Sequence, residues 1–223
     1  MRPEDEAVIH ITTDGEVIIE TQTDDGTQTF KRSDAGGIMD MLRSSIIHEL
    51  KISSGLLPKN CIAYNCSEKG NKFVAMTFDE GYADVSLEKT EYNKFPLPRL
   101  VFGFNISCEG RVTGVKLGVT DFGRLTPKSQ MYIYPFSNVS GFHLCTGGNT
   151  FPNIKSVYQT AGLPYYVLSM PNNYDRYGEG NTKLKLDLRS LFEHLKDKTP
   201  EYYYSDVLHK MGKTLNDFIK EGN

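Results

Sequence analysis

Tyr134-Pro135-Phe136-Ser137-Asn138-Val139-Ser140-Gly141-Phe142-His143-Leu144-Cys145, with Gly147-Gly148-Asn149 close behind, breaks a chain that is otherwise periodic. From 123 to 156 neither the alternation of a strand nor the three-to-four spacing of a helix persists, because Pro127, Pro135, Gly141, Gly147, Gly148 and Pro152 interrupt both. An aperiodic stretch longer than about 12–15 residues in a compact domain is usually functional or disordered. Tyr132, Tyr134, Phe136, Phe142 and Phe151 give this one apolar area to bury, so a packed loop is expected.

The stretch divides two kinds of pattern. Before it, Asn60–Tyr64, Lys72–Phe78, Tyr82–Leu87, Leu100–Ile106 and Val112–Val119 read as strands, with Glu109-Gly110 turning the last two into a hairpin. Phe95-Pro96-Leu97-Pro98-Arg99 stops a strand or enters one at an edge, since proline lacks the ladder N–H. An antiparallel meander of about four strands is expected. After it, Ile154, Val157, Tyr158, Leu163, Tyr166 and Val167 fit a helix broken near Gly162 or Pro164. Residues 171–180 read as a polar loop, and Asp187–Lys196 and Tyr202–Lys220 as helices, the last with an apolar stripe of Val207, Leu208, Met211, Leu215 and Ile219.

The first 50 residues carry their own signals. Ala7–Ile11 and Glu16–Glu20 flank Asp14-Gly15, a hairpin turn pair, and a third strand is expected over Thr21–Lys31. Ser33-Asp34 then offers a cap for a helix through Ile38, Met41, Leu42, Ile46 and Leu50. The expected class is α+β, with a β-rich extension and helix over 1–55 and a main domain with C-terminal helices over 56–223.

Composition narrows the function classes. With 223 residues, 39% of them hydrophobic, one domain or one domain with an extension can bury a substantial core. The net charge is −3 and the Lys and Arg residues are dispersed, so no nucleic-acid groove is expected. No apolar run approaches the roughly 20 residues of a membrane span, and Met1-Arg2-Pro3-Glu4-Asp5-Glu6 lacks the order of a secretory leader. The expectation is a cytoplasmic protein whose Cys61, Cys66, Cys108 and Cys145 are thiols. Cys61 and Cys66 have no second pair at ligand spacing, so no metal or other cofactor is expected.

Cys145 is the candidate nucleophile. A thiol, an amide side chain at Asn138 and irregular backbone between them are what an acyl-thioester site needs. His143 lies two residues from the thiol and shares its side if the backbone there is extended. Each residue also has a structural reading: free cysteines are mostly packing, and asparagine commonly fixes loops through its neighbours' backbone.

The order of these features resembles ubiquitin-conjugating enzymes, in which a four-strand antiparallel meander is followed by an irregular segment with a His-Pro-Asn motif, the catalytic cysteine and helices. Pro96-Leu97-Pro98-Arg99-Leu100-Val101-Phe102, together with Pro135-Phe136-Ser137-Asn138-Val139 and Cys145-Thr146-Gly147, looks closest to prokaryotic ubiquitin-conjugating-enzyme-like family D, the PRTRC system protein B family. The resemblance spans about residues 56–180. It implies a ubiquitin-conjugating-like fold and a carrier that takes a ubiquitin-like protein from a ThiF-type activating enzyme as a thioester on Cys145 and passes it to an amine. It further implies Asn138 as oxyanion donor, His143 as a cationic neighbour of the thiolate, Asp175 as the carboxylate that takes the amine's proton, and a JAB-type peptidase in the same system. At the motif, the histidine position holds Phe136 and the proline position Ser137; the asparagine alone is kept. A second reading therefore stands beside the first: a catalytically degenerate adaptor of the same fold in a mobile-element protein complex. A cysteine hydrolase is a third, and needs a general-base histidine that the sequence does not locate.

Overall fold

The computed structural model describes residues 7–22, 26–46 and 53–221. The chain divides into two compact units, Met1–Ile52 and Ser53–Asn223, three residues before the boundary read from the sequence.

In the first unit, β1 (Ala7–Ile11), β2 (Val17–Gln22) and β3 (Gln28–Ser33) form an antiparallel sheet in that order. Helix α1 (Ala35–Ile46) starts where Asp34 Oδ1 accepts the Gly37 N–H at 2.6 Å, so Asp34 rather than Ser33 is the cap. Val17, Ile19 and Ile38 form its buried cluster. Leu50, read as the last apolar residue of this helix, lies outside the described residues.

The second unit is built on β4 (Cys61–Cys66), β5 (Lys72–Phe78), β6 (Gly81–Leu87), β7 (Thr90–Leu97), β8 (Leu100–Ile106) and β9 (Val112–Thr120). Strands β4, β5, β8 and β9 pair antiparallel in that spatial order, and the β6–β7 hairpin is inserted between the second and third. Pro96 is tolerated because, among the described residues, β7 pairs with β6 alone and so has a free edge. The meander is buried on both faces. Val74, Met76, Phe102, Phe104 and Leu117 enter the larger core, while Phe73, Ala75 and Val101 point the other way and meet Met131, Phe142, Leu215 and Phe218. Strands with two dry faces read as continuous apolar runs, which explains Phe73–Met76 and Leu100–Phe104.

Beyond β9 come β10 (Gln130–Tyr132), which pairs with β9, and the short hairpin β11 (Val139–Ser140) and β12 (His143–Leu144). A 3-10 turn over Val157–Gly162 hands over to α2 (Leu163–Leu168), the break expected near Pro164. Helix α3 (Leu188–Leu195) is capped by Asp187, which accepts the Ser190 N–H at 3.1 Å.

The expected helix over Tyr202–Lys220 does not form as one element. It is replaced by one wide turn (Tyr203–Val207, closed by Leu208 N–H to the Tyr203 carbonyl at 2.9 Å), strand β13 (Lys210–Thr214) and helix α4 (Leu215–Lys220). Gly212 is in the left-handed region at φ 73°. Strand β13 pairs with β10 and so satisfies main-chain groups of that strand. Thr214 and Asp217 form a reciprocal capping box that starts α4. The apparent stripe is thereby split, with Val207 and Leu208 in the larger core and Leu215 in the smaller. Among the described residues no helix is long and apolar enough to cross a membrane.

Gly110 fastens the end of the β8–β9 hairpin to the segment that leaves the irregular region. Its carbonyl accepts the Ile154 N–H at 2.8 Å, its φ is +88°, and a Cβ there would lie 2.3 Å from Asn153 Oδ1 and 2.4 Å from the Ile154 oxygen. Gly123 has a similar φ of +86° with nothing near its Cβ position. In urea unfolding, Gly123→Ala is expected to lose about 1–2 kcal/mol from the left-handed backbone alone. Gly110→Ala is expected to lose at least about 2 kcal/mol more, because overlap adds to strain. Equal losses would show that the 110–154 junction yields freely.

Candidate functional site

The segment leaving β10 alternates into the core before it reaches the thiol. Tyr134 is 8% and Phe136 2% exposed. The Phe136 ring lies 5.8 Å from Phe95, 5.0 Å from Phe192 and 5.5 Å from Tyr134 between centroids, so it sits inside an aromatic cluster. Burial holds the Tyr134 phenol well above its ordinary pKa, and it stays neutral.

Ser137, 1% exposed, ties this segment to the 171–175 loop. Its hydroxyl donates to Asn172 Oδ1 at 3.2 Å and accepts the Asn173 N–H at 3.3 Å. Asn172 is itself fixed to β6: its main-chain N–H and side-chain amide both donate to the Ser86 carbonyl, at 2.8 and 3.2 Å, and its carbonyl accepts the Glu88 N–H at 2.7 Å.

Asn138 follows in the left-handed conformation at φ 66°, which asparagine tolerates better than most residues. Its N–H donates to the Asp175 carbonyl at 2.8 Å, and its own carbonyl accepts the Cys145 N–H at 2.7 Å. Between those bonds the chain makes the β11–β12 hairpin, with Val139 opposite Leu144, Ser140 opposite His143, and Gly141 at φ 60° opening the two-residue turn. Strand β12 docks on β9 through His143 opposite Lys116 and through Leu117 N–H to the Phe142 carbonyl at 2.8 Å. Cys145 is where the chain leaves β9.

The structure therefore brings together three of the four residues singled out from the sequence. Cys145, Asn138 and Asp175 line one cavity of about 120 Å³, together with apolar Phe136, Leu117 and Phe192 and polar Asn149, Asn172 and Asn173. Cys145 is half-buried. Neither its side chain nor that of Asn138 is used in a hydrogen bond among the described residues, so the Asn138 amide remains free to donate. The Asp175 carboxylate is steadied by the Asn173 side-chain amide at 3.2 Å, and its N–H donates to Asn173 Oδ1 at 2.8 Å.

His143 is placed differently. Leu144 turns inward at 7% exposure, so alternation puts exposed His143 and half-buried Cys145 on the same side of β12. His143 does not line the 120 Å³ cavity. It lines a second cleft, about 650 Å³, that runs beside β9 and meets the first at Cys145. Cys145 thus borders both recesses, together with Leu144, Thr146, Gly147 and Asn149.

Ser137, Asn172 and Asn173 are the residues that sequence reasoning missed. The Pro171-Asn172-Asn173 run was visible as a polar loop, but its partners lie 35 and 86 residues away. Of the other thiols, Cys61 is pushed up in pKa by burial, which disfavours its thiolate. Among the described residues no group of three His, Cys, Asp or Glu side chains is arranged to hold a metal. No family model, no curated protein and no solved structure matches the chain.

Because Phe136 is a core aromatic, replacing it with the histidine of the resembled motif is expected to damage rather than restore the site. Phe136→His removes ring contacts and buries an imidazole without partners, a loss of about 3 kcal/mol in urea unfolding. A variant with the wild-type midpoint would contradict this account of the cluster.

Proposed function

We propose that this protein is a ubiquitin-conjugating-like carrier, of the kind represented by prokaryotic ubiquitin-conjugating-enzyme-like family D. It accepts a ubiquitin-like protein from a ThiF-type activating enzyme on Cys145 and transfers it to an amine. The observation that carries the reading is the pair of main-chain bonds joining Asp175, Asn138 and Cys145, which puts a thiol, an unengaged amide and a carboxylate around one small cavity. The antiparallel order β4–β5–β8–β9, followed by an irregular segment with asparagine before cysteine, supports the same reading.

The chemistry has two steps. In loading, Cys145 sulfur attacks the carbonyl carbon of the activating enzyme's thioester; a new C–S bond forms, the old one breaks, and the departing thiolate takes up the proton given by Cys145. In transfer, the amine nitrogen attacks that carbon, the Cys145 C–S bond breaks, and the amine's proton passes to the Asp175 carboxylate, which releases it to water. Asn138 donates its amide N–H to the oxyanion of both tetrahedral intermediates. His143, which lines the neighbouring cleft, serves as the cationic neighbour of the thiolate. A JAB-type peptidase would remove the modification.

The burial of Phe136 favours a second reading. With no imidazole at that position, the fold can serve as an adaptor without thioester chemistry.

Incubation with the activating enzyme, ATP and a ubiquitin-like protein ending in glycine is expected to yield an adduct cleaved by thiols, absent in Cys145→Ser. Asn138→Ala should both load and discharge to lysine about 10²–10³ times more slowly, the usual cost of one oxyanion donor. Asp175→Asn should slow discharge at neutral pH and recover as the pH approaches the pKa of the lysine amine, where no base is needed. An activating enzyme that charges itself but never loads wild-type Cys145 would establish the adaptor reading.

A further inference from the structure

The sheet of the first unit ends in two edges of opposite character. Strands β1, β2 and β3 pair in that order, so β1 and β3 each have one side with which, among the described residues, no strand pairs. Strand β3 carries Lys31 and Arg32, and positive charges on an edge strand oppose its pairing with another copy. Strand β1 reads Ala-Val-Ile-His-Ile, with three β-branched residues and no carboxylate, lysine or arginine. The His10 ring is already held by Glu20, Nε2 to Oε2 at 2.8 Å. Thr12 N–H donates to the Glu16 carbonyl at 2.9 Å, so by alternation the even-numbered residues of β1 bond to β2. Ala7, Ile9 and Ile11 therefore turn their N–H and C=O groups to the open side. Burial also stops at this edge. Val17 and Ile19 of β2 are 3% and 8% exposed, whereas Ile11 and Ile9, directly opposite them on β1, are 75% and 38% exposed.

We propose that β1 pairs with β1 of a second copy of this chain, antiparallel across a two-fold axis at Ile9, so that two three-stranded sheets become one of six strands. Identical strands related by a two-fold axis normal to the sheet run antiparallel. Of the outward-facing residues, Ile9 alone, as the centre, brings all five residues of the strand into register. Ile9 then lies opposite Ile9 of the copy, Ala7 opposite Ile11, and Val8 opposite His10. The pairs made by Ala7, Ile9 and Ile11 are the hydrogen-bonded kind, each exchanging two N–H···O bonds. Ile19, Ile9, the copy's Ile9 and its Ile19 form one row across four strands, on the face that buries Val17. No like charges meet at the seam, and the two imidazoles stand apart. A second copy is thus the occupant whose register, apolar face and charge all match this edge. Five residues a side is short of the roughly 20–30 of a standard interface, so the pairing is weak and forms at high micromolar concentration. It is independent of the chemistry at Cys145, and it gives the first unit the work of joining two chains.

The test uses the full chain. Sedimentation equilibrium between about 10 µM and about 500 µM is expected to show the mass rising from one chain toward two and no further, since a two-fold edge closes on itself. Ile11→Pro removes an outward N–H that β2 does not use, at a largely exposed side chain, so the unit keeps its fold and dimerisation is expected to weaken at least about tenfold. Ile9→Lys sets two ammonium groups face to face at the axis and is expected to weaken it as much, while Phe30→Lys on β3 is expected to leave it unchanged. In the unsubstituted chain, hydrogen exchange at the Ile9 and Ile11 amides, read by NMR, is expected to slow as the concentration rises. A mass that stays at one chain, assembly beyond two, a dimer that survives either β1 substitution, or one lost in Phe30→Lys would overturn the proposal. Slow exchange at Ile9 and Ile11 that does not change with concentration would overturn it too, because the chain would then cover its own edge.

Discussion

Asn138 holds a left-handed backbone with its N–H committed to the Asp175 carbonyl and its C=O to the Cys145 N–H. Each neighbouring feature of the site is arranged around that clamp. Residues before it are anchored by Phe136 in the aromatic cluster and Ser137 on the asparagine pair. Residues after it form a hairpin short enough to return the chain to the same oxygen within seven positions. Two main-chain bonds of this kind contribute only about 1 kcal/mol each to stability. Their importance is geometric, since they fix a thiol and a carboxylate-bearing loop that are 30 residues apart in sequence.

The place of Cys145 beside two recesses follows from the sheet. Beyond Leu144 the β12 chain leaves β9, and alternation sends the Cys145 N–H to the Asn138 carbonyl on the β11 side of the hairpin. Cys145 there borders both a small cavity lined by asparagines and Asp175 and a larger cleft lined by Arg111 and His143.

Much of the meander was readable because apolar runs and turn pairs are local signals: Glu109-Gly110 and the runs in β5, β8 and β9 are explicit. The aperiodicity around 123–156 marked the site region, and Cys145 and Asn138 stood out within it. Other parts depended on distant partners. Lys210–Thr214 is a strand because β10 lies beside it, which outweighs the helical spacing of Val207, Met211 and Leu215. A new helix starts inside that stripe, where Thr214 and Asp217 cap each other. The role of Asn172 could not be read locally, since Ser86 and Ser137 are remote in sequence. The inward turn of Phe136 likewise depends on Phe95 and Phe192, which a motif comparison does not see.

Acyl transfer from a small thioester reports on the thiol without any partner protein. Glycyl-glycine thiophenyl ester is mixed with the native chain at neutral pH, and the acylated cysteine is located by peptide mass spectrometry. The account predicts that Cys145 is acylated ahead of exposed Cys108 and that hydroxylamine removes the group. Acylation of Cys108 with Cys145 untouched would contradict it.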